Sequence, residues 1–93
     1  RSNKMVTRNI LLKNQFTFRQ YEDSINPNSG EYVLFGHDMN FYVRFAWDDM
    51  YGWHLQVTNR ANDITFSWGK FIEFTINEVN EIFKVCKINL TIG

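Results

Sequence analysis

A chain of 93 residues with 44% hydrophobic and 17% aromatic content is expected to fold as one small domain around one core, which excludes a disordered segment. Ten basic and ten acidic side chains cancel, so no global field draws the protein to nucleic acid or to an anionic membrane; such binding has to come from a local patch. One cysteine excludes an internal disulfide, and together with the lack of a transmembrane run or signal peptide it sets the expectation of a cytoplasmic protein with no membrane partner.

Arg1 to Lys4 precede the first methionine and read as a cloning remnant or the start of a fragment. From Val6 to Tyr21, Ile10 with Leu12 and Phe16 with Phe18 alternate on either side of Lys13-Asn14-Gln15, which predicts one long bulged strand or two short ones. Glu22 to Glu31 holds the only proline, a glycine and several Asx and Ser residues, the composition of a long loop. Tyr32 to Phe35 reads as a short strand ended by Gly36, followed by a turn over His37 to Asn40.

Phe41 to Trp47 is the clearest strand, with Phe41, Val43, Phe45 and Trp47 on one face and Tyr42, Arg44 and Ala46 on the other. Asp48 to Gly52 turns the chain. Trp53, Leu55 and Val57 then oppose His54, Gln56 and Thr58; after a loop at Asn59 to Asp63, Ile64, Phe66 and Trp68 oppose Thr65 and Ser67. Gly69 suggests a bulge.

The last stretch changes period. Ile76, Val79, Phe83, Cys86 and Leu90 fall on one helical stripe, and Thr75 with Glu78 three residues on forms a capping-box pattern, so a helix is predicted from Ile76 toward Leu90. Cys86 lies on that stripe as a small hydrophobe. The fold class that follows is α+β: a curved antiparallel meander of about five strands with one C-terminal helix on its apolar face, and little helix elsewhere.

The catalytic inventory is thin, and the expectation is a protein that is not an enzyme and needs no cofactor or metal. His37-Asp38 sets an imidazole beside a carboxylate in a turn, where neighbouring side chains rarely point together. Asp48 and Asp49 belong to an ordinary turn sequence. No base accompanies Cys86 on its stripe, and there is no glycine-rich phosphate loop.

The polar sheet face is more informative. It is expected to carry Lys13, Gln15, Thr17, Arg19, Tyr21, Tyr42, Arg44, His54, Gln56, Thr58, Thr65 and Ser67, and no acid, because Glu31 is assigned to the loop. Lys13, Arg19 and Arg44 on such a face would form a platform for single-stranded nucleic acid. The closing strand-to-helix step, Ile72-Glu73-Phe74-Thr75-Ile76-Asn77-Glu78-Val79, resembles in element order that of the Whirly single-strand binders over the last third of the chain. The basic strands of that family are not matched, and this chain has an extra strand.

Near-neutral charge, many aromatics and no catalytic set favour instead a non-catalytic protein-interaction domain: a small inhibitor, an immunity-type protein or an adaptor. The expected contacts are Tyr21, Tyr42, Arg44, Tyr51 and His54, with Trp53 and Tyr32 as further aromatic candidates. The expected partner is another protein, with single-stranded nucleic acid second and homo-oligomerisation compatible with either. Carbohydrate binding through Trp47, Trp53 or Trp68 is disfavoured because alternation turns all three inward.

Overall fold

Strict alternation along the two central segments builds the middle of a five-stranded sheet, and the other strands add to its sides. A computed structural model describes residues 4–93, so the Arg1–Asn3 part of the expected remnant lies outside the described residues. The strands are β1 (Thr17–Gln20), β2 (Gly30–Phe35), β3 (Phe41–Asp48), β4 (Gly52–Asn59) and β5 (Ile64–Lys70), and the helices are α1 (Arg8–Lys13) and α2 (Ile76–Val85). The sheet runs β1-β2-β3-β4-β5 with every pair antiparallel, an open meander. The predicted α+β class is the observed one.

One face of the sheet is the core face. Tyr32, Val43, Phe45, Trp53, Leu55 and Val57 are buried there against Ile76, Val79, Ile82 and Phe83 of α2. Each large apolar side chain so covered contributes about 1.5–3 kcal/mol relative to exposure. The start of α2 is capped as its sequence dictates: Thr75 Oγ1 accepts from the Glu78 amide at 3.1 Å, and the Glu78 carboxylate accepts from the Thr75 amide at 2.8 Å.

The N-terminal segment departs from the strand reading. Arg8–Lys13 is a helix capped by Thr7, and only Thr17–Gln20 of this region joins the sheet. Lys13-Asn14-Gln15, read as a break between strands, is the end of that helix. Six residues span less than two turns, too few for the 3.6-residue period to show against the accidental alternation of Ile10 and Leu12.

The helix stripe also ends earlier than its spacing implies. Lys87 adopts φ 61°, and the Ile88 and Lys87 amides donate to the Phe83 and Lys84 carbonyls at 3.1 and 3.0 Å. This is a Schellman ending with lysine where glycine is usual. Gln15 closes α1 in the same way at φ 75°, with Phe16 and Gln15 amides on the Leu11 and Leu12 carbonyls. In both motifs the flanking apolar residues, Leu11 with Phe16 and Phe83 with Ile88, are buried.

Beyond α2 the chain is not helical, and Ile88, Leu90 and Ile92 return to the core at two-residue spacing. The Asn80 side-chain amide pairs both ways with the Ile92 backbone, at 2.9 and 3.0 Å. Buried Asn59 donates to the Cys86 and Lys87 carbonyls at 2.8 and 3.1 Å, tying the end of β4 to the end of α2.

Glycine matters most at Gly52, which has φ 79° and sits so close to Lys70 and Phe71 that a Cβ would lie 2.5 Å from the Lys70 carbonyl oxygen. Gly69 produces no bulge: the β4–β5 register runs unbroken through His54↔Gly69.

Two substitutions separate these contributions in urea unfolding. Phe83→Ala, at a fully buried position, is expected to cost about 3–5 kcal/mol. Lys87→Gly relieves the left-handed backbone and is expected to raise stability by up to about 1 kcal/mol. A stable Phe83→Ala protein, or a destabilised Lys87→Gly protein, contradicts the assigned core and helix end.

Candidate functional site

The outer sheet face is left open by both described helices, which pack on the core face. The register places Thr17 and Arg19 of β1, Glu31, Val33 and Phe35 of β2, Tyr42, Arg44 and Ala46 of β3, His54, Gln56 and Thr58 of β4, and Thr65 and Ser67 of β5 on this side. Lys13 and Gln15 are not among them: they belong to α1 and to the residue that ends it.

The face is not free of acid. Glu31 lies inside β2, directly between Arg19 and Ala46, with Arg44 two residues along β3 on the same face, and its carboxylate pairs with both arginines. The sequence places Glu31 beside a glycine at the end of a loop-rich stretch, which hides that β2 starts at Gly30. Burial alone would raise the Glu31 pKa, but the hydrogen bonds from Arg44 and Arg19 and their charges outweigh it and hold the carboxyl below its ordinary range. Burial pulls the Arg44 pKa down, but the Glu31 hydrogen bond and charge together with the Tyr21 and Tyr42 phenols outweigh it, so its affinity for its proton rises. Arg44 also donates to Tyr21 Oη at 3.2 Å. Burial first, then the Glu31 charge, pushes the Tyr42 phenol up.

The second candidate surface is the end of the sheet where three connections emerge. Gln20, Gly30, Trp47, Trp53 and Lys70 are register partners in one rung across all five strands. The Tyr21–Ser29 loop, the Asp48–Gly52 turn and the Phe71–Glu73 link therefore leave the sheet at the same end. Ile25, Met50, Tyr51, Phe71 and Ile72 stand there 64–99% exposed. Glu22, Asp23, Asp48, Asp49 and Glu73, half of the chain's acids, lie in the same segments, which contain no lysine or arginine. The first loop and the turn enclose a cleft of about 560 Å³ lined by Tyr21, Ile25, Met50 and Tyr51 among others, and Asn26 Nδ2 reaches Asp49 Oδ2 across it at 3.5 Å.

Of the five expected contact residues, Tyr21 and Tyr51 lie at the loop end, and Tyr42, Arg44 and His54 lie on the outer face, Tyr42 toward its opposite end. Tyr21 lines the cleft while touching Arg44; Tyr51 lines the cleft and, with His54, a smaller depression of about 230 Å³; Tyr42 is two residues from Arg44 on β3. Tyr32 and Trp53 are different, since both are buried in the core and Tyr32 Oη accepts from Arg8. Trp68 is not fully inward either: it is 39% exposed at the sheet edge, beneath Lys70, whose Nζ is 5.2 Å from its ring. Ile25, Met50, Phe71 and Ile72 escape sequence reasoning because apolar residues in short connections carry no periodicity.

The chemical candidates are dispersed. His37 Nε2 does meet Asp38 Oδ2, at 3.2 Å, because Asp38 takes a left-handed conformation, but both side chains are more than four-fifths exposed. His54 Nε2 is 2.7 Å from Ser67 Oγ on the open face. Among the described residues no group of three or more His, Cys, Asp or Glu is arranged to hold a metal ion, and no helix is long and apolar enough to cross a membrane. Cys86 is buried at the end of α2, and burial raises its thiol pKa. No family model, curated protein or solved structure matches this chain.

Two measurements check this geometry. Glu31→Gln removes a carboxylate whose folded pKa is depressed, so its contribution is fully present above the ordinary value of roughly 4.3 and is lost as pH falls through the lower folded value. The variant is expected to be less stable than the wild type by about 1–3 kcal/mol at pH 7, with the gap closing in acid; a gap independent of pH rejects the ion-paired assignment. Cys86 is expected to react with a thiol reagent far more slowly in the folded than in the unfolded protein, and equal rates would show that it is not buried.

Proposed function

We propose that this chain is a non-catalytic protein-interaction domain, working as a small inhibitor, immunity-type protein or adaptor, and that it binds its partner through the loop end of the sheet. The observation that carries the reading is the group of five large apolar side chains exposed together at that end, on connections whose charges are all negative. Isolated exposed apolar residues are ordinary; several gathered on loops at one end of a rigid sheet are the usual make-up of a binding surface. Tyr51 and Tyr21 supply rigid amphipathic contact area around the cleft, and Met50 an adaptable one. The acids around them favour a protein partner whose apolar socket has a basic margin, because complementary charge speeds encounter and disfavours wrong partners. A cytoplasmic location belongs to the same proposal, supported by a lone buried thiol.

Single-strand binding by the outer face is the second reading. It is disfavoured by Glu31, which already occupies Arg19 and Arg44. Glu31 cancels one of the two arginine charges, which lowers the number of counterions a bound phosphate strand would release.

The test uses the intact protein as bait in source-cell extract at moderate salt, beside Tyr51→Ala, Met50→Ala and Phe71→Ala variants that retain the native circular dichroism spectrum. A specific partner is expected whose retention falls about tenfold or more in at least one variant, while labelled single-stranded DNA and RNA show no saturable binding. Partner retention unaffected by all three variants would reject the loop-end surface. Saturable oligonucleotide binding lost in an Arg19→Ala, Arg44→Ala double variant would replace this reading with the second.

A further inference from the structure

The two edges of the sheet are unlike each other. β1 is four residues long and is entered directly from α1. β5 is seven residues long, Ile64 to Lys70, contains no proline, and keeps an unbroken register with β4 from end to end. In an antiparallel ladder alternate residues of the last strand turn their N–H and C=O groups away from the sheet. Among the described residues, no backbone hydrogen bond from outside the sheet reaches residues 64–70. The devices that ordinarily blunt such an edge, namely a bulge, a proline or an inward charge, are missing from its middle.

The side chains of β5 are as open as its backbone. On the core face Ile64 and Phe66 are half-buried and Trp68 is 39% exposed, so an apolar strip ends abruptly at the edge. The strand carries one charge, Lys70, and its ammonium is held 3.1 and 3.2 Å from the two Glu78 carboxylate oxygens. A second, identical edge can therefore approach without like-charge repulsion.

We infer that β5 is a pairing edge for a second copy of this chain, joined antiparallel across a two-fold axis at Ser67 into one continuous ten-stranded sheet. The full seven-residue overlap sets this register. Ser67 faces the Ser67 of the other copy, Thr65 faces Gly69, Ile64 faces Lys70, and Phe66 faces Trp68 twice. All the even-numbered partners lie on the core faces, so the pairing extends the apolar strip of each copy with that of the other. The free backbone groups of the two edges satisfy one another, and the half-covered Phe66 and Trp68 rings gain cross-strand aromatic neighbours. The opposite edge and the loop end stay open, so pairing presents two loop-end surfaces on one particle; this inference does not depend on what those surfaces bind.

Sedimentation velocity of the full chain across a wide concentration range is the test, with Ser67→Lys and Ser67→Glu as the diagnostic variants. Ser67 is exposed on the outer face, so either change leaves the core untouched while placing like charges opposite each other at the axis. The wild type is expected to show a reversible monomer–dimer equilibrium. Each variant alone is expected to raise the dimer dissociation constant about five- to tenfold, and an equimolar mixture of the two is expected to restore dimer. In the wild type, hydrogen exchange at alternate β5 amides is expected to slow on concentration, a readout that needs no variant. A wild-type chain that stays monomeric at every concentration overturns the inference. So does a dimer equally strong in both variants, which places the contact elsewhere, or a mixture that regains nothing, which rejects the two-fold register.

Discussion

The two-residue alternation carried without interruption through β3 and β4 is the constraint on which the rest of the molecule depends. It puts Val43, Phe45, Leu55 and Val57, all with no exposed surface, on one side of the sheet, and that side must then be covered. A slip of one residue in the β3–β4 pairing would exchange these for Arg44, Ala46, His54 and Gln56. α2, the Val6–Phe16 segment and the Ile88–Ile92 tail are the three pieces that cover it. The same pairing decides which side chains remain outside, so the core and the outer face are two consequences of one register.

The ends of the covering pieces are held by polar groups rather than by glycine. Asn59 and Asn80 use their amides as substitutes for backbone, one taking the carbonyls of the two residues just after α2 and the other pairing with the tail. Two Schellman endings use glutamine and lysine in left-handed conformations, each of which costs on the order of 1 kcal/mol. The burial of Leu11, Phe16, Phe83 and Ile88 offsets that cost, because the reversal brings the residue after each helix back into the core. With eleven asparagines in the chain, some serve in this structural role, and their abundance by itself says little about binding.

On the outer face the point at which β2 begins decides how much positive charge is free. With Glu31 in a loop, Arg19 and Arg44 look available to phosphate. With Glu31 in the strand, all three form one hydrogen-bonded unit that also involves Tyr21, in which the carboxylate cancels one of the two arginine charges. The attraction that keeps Glu31 ionised competes with any outside anion. The loop end is the reverse case. Its apolar and acidic residues are unremarkable one by one along the chain, and they become a surface because a single rung of the sheet releases three connections in one place.

The sequence by itself determined the α+β class, the three long strands and their turns, the capped start of α2, the two faces of the sheet and the inward place of Cys86. These rest on local periodicity and on capping chemistry between residues a few positions apart, which the order of residues displays directly. It did not show α1, since six residues contain too little of a helical period. It also did not show the stop at Val85: Cys86 and Leu90 suit the helical spacing while Ile88, Leu90 and Ile92 equally suit an extended tail, and Asn59, twenty-seven positions away from Cys86, takes part in closing the helix. Only the tertiary structure decided that Glu31 joins Arg19 and Arg44, that Trp68 lies at an open edge, and that Ile25, Met50, Tyr51, Phe71 and Ile72 share one end. Those are contacts between segments distant in the chain, and their energies depend on register and burial, which no local pattern of residues encodes.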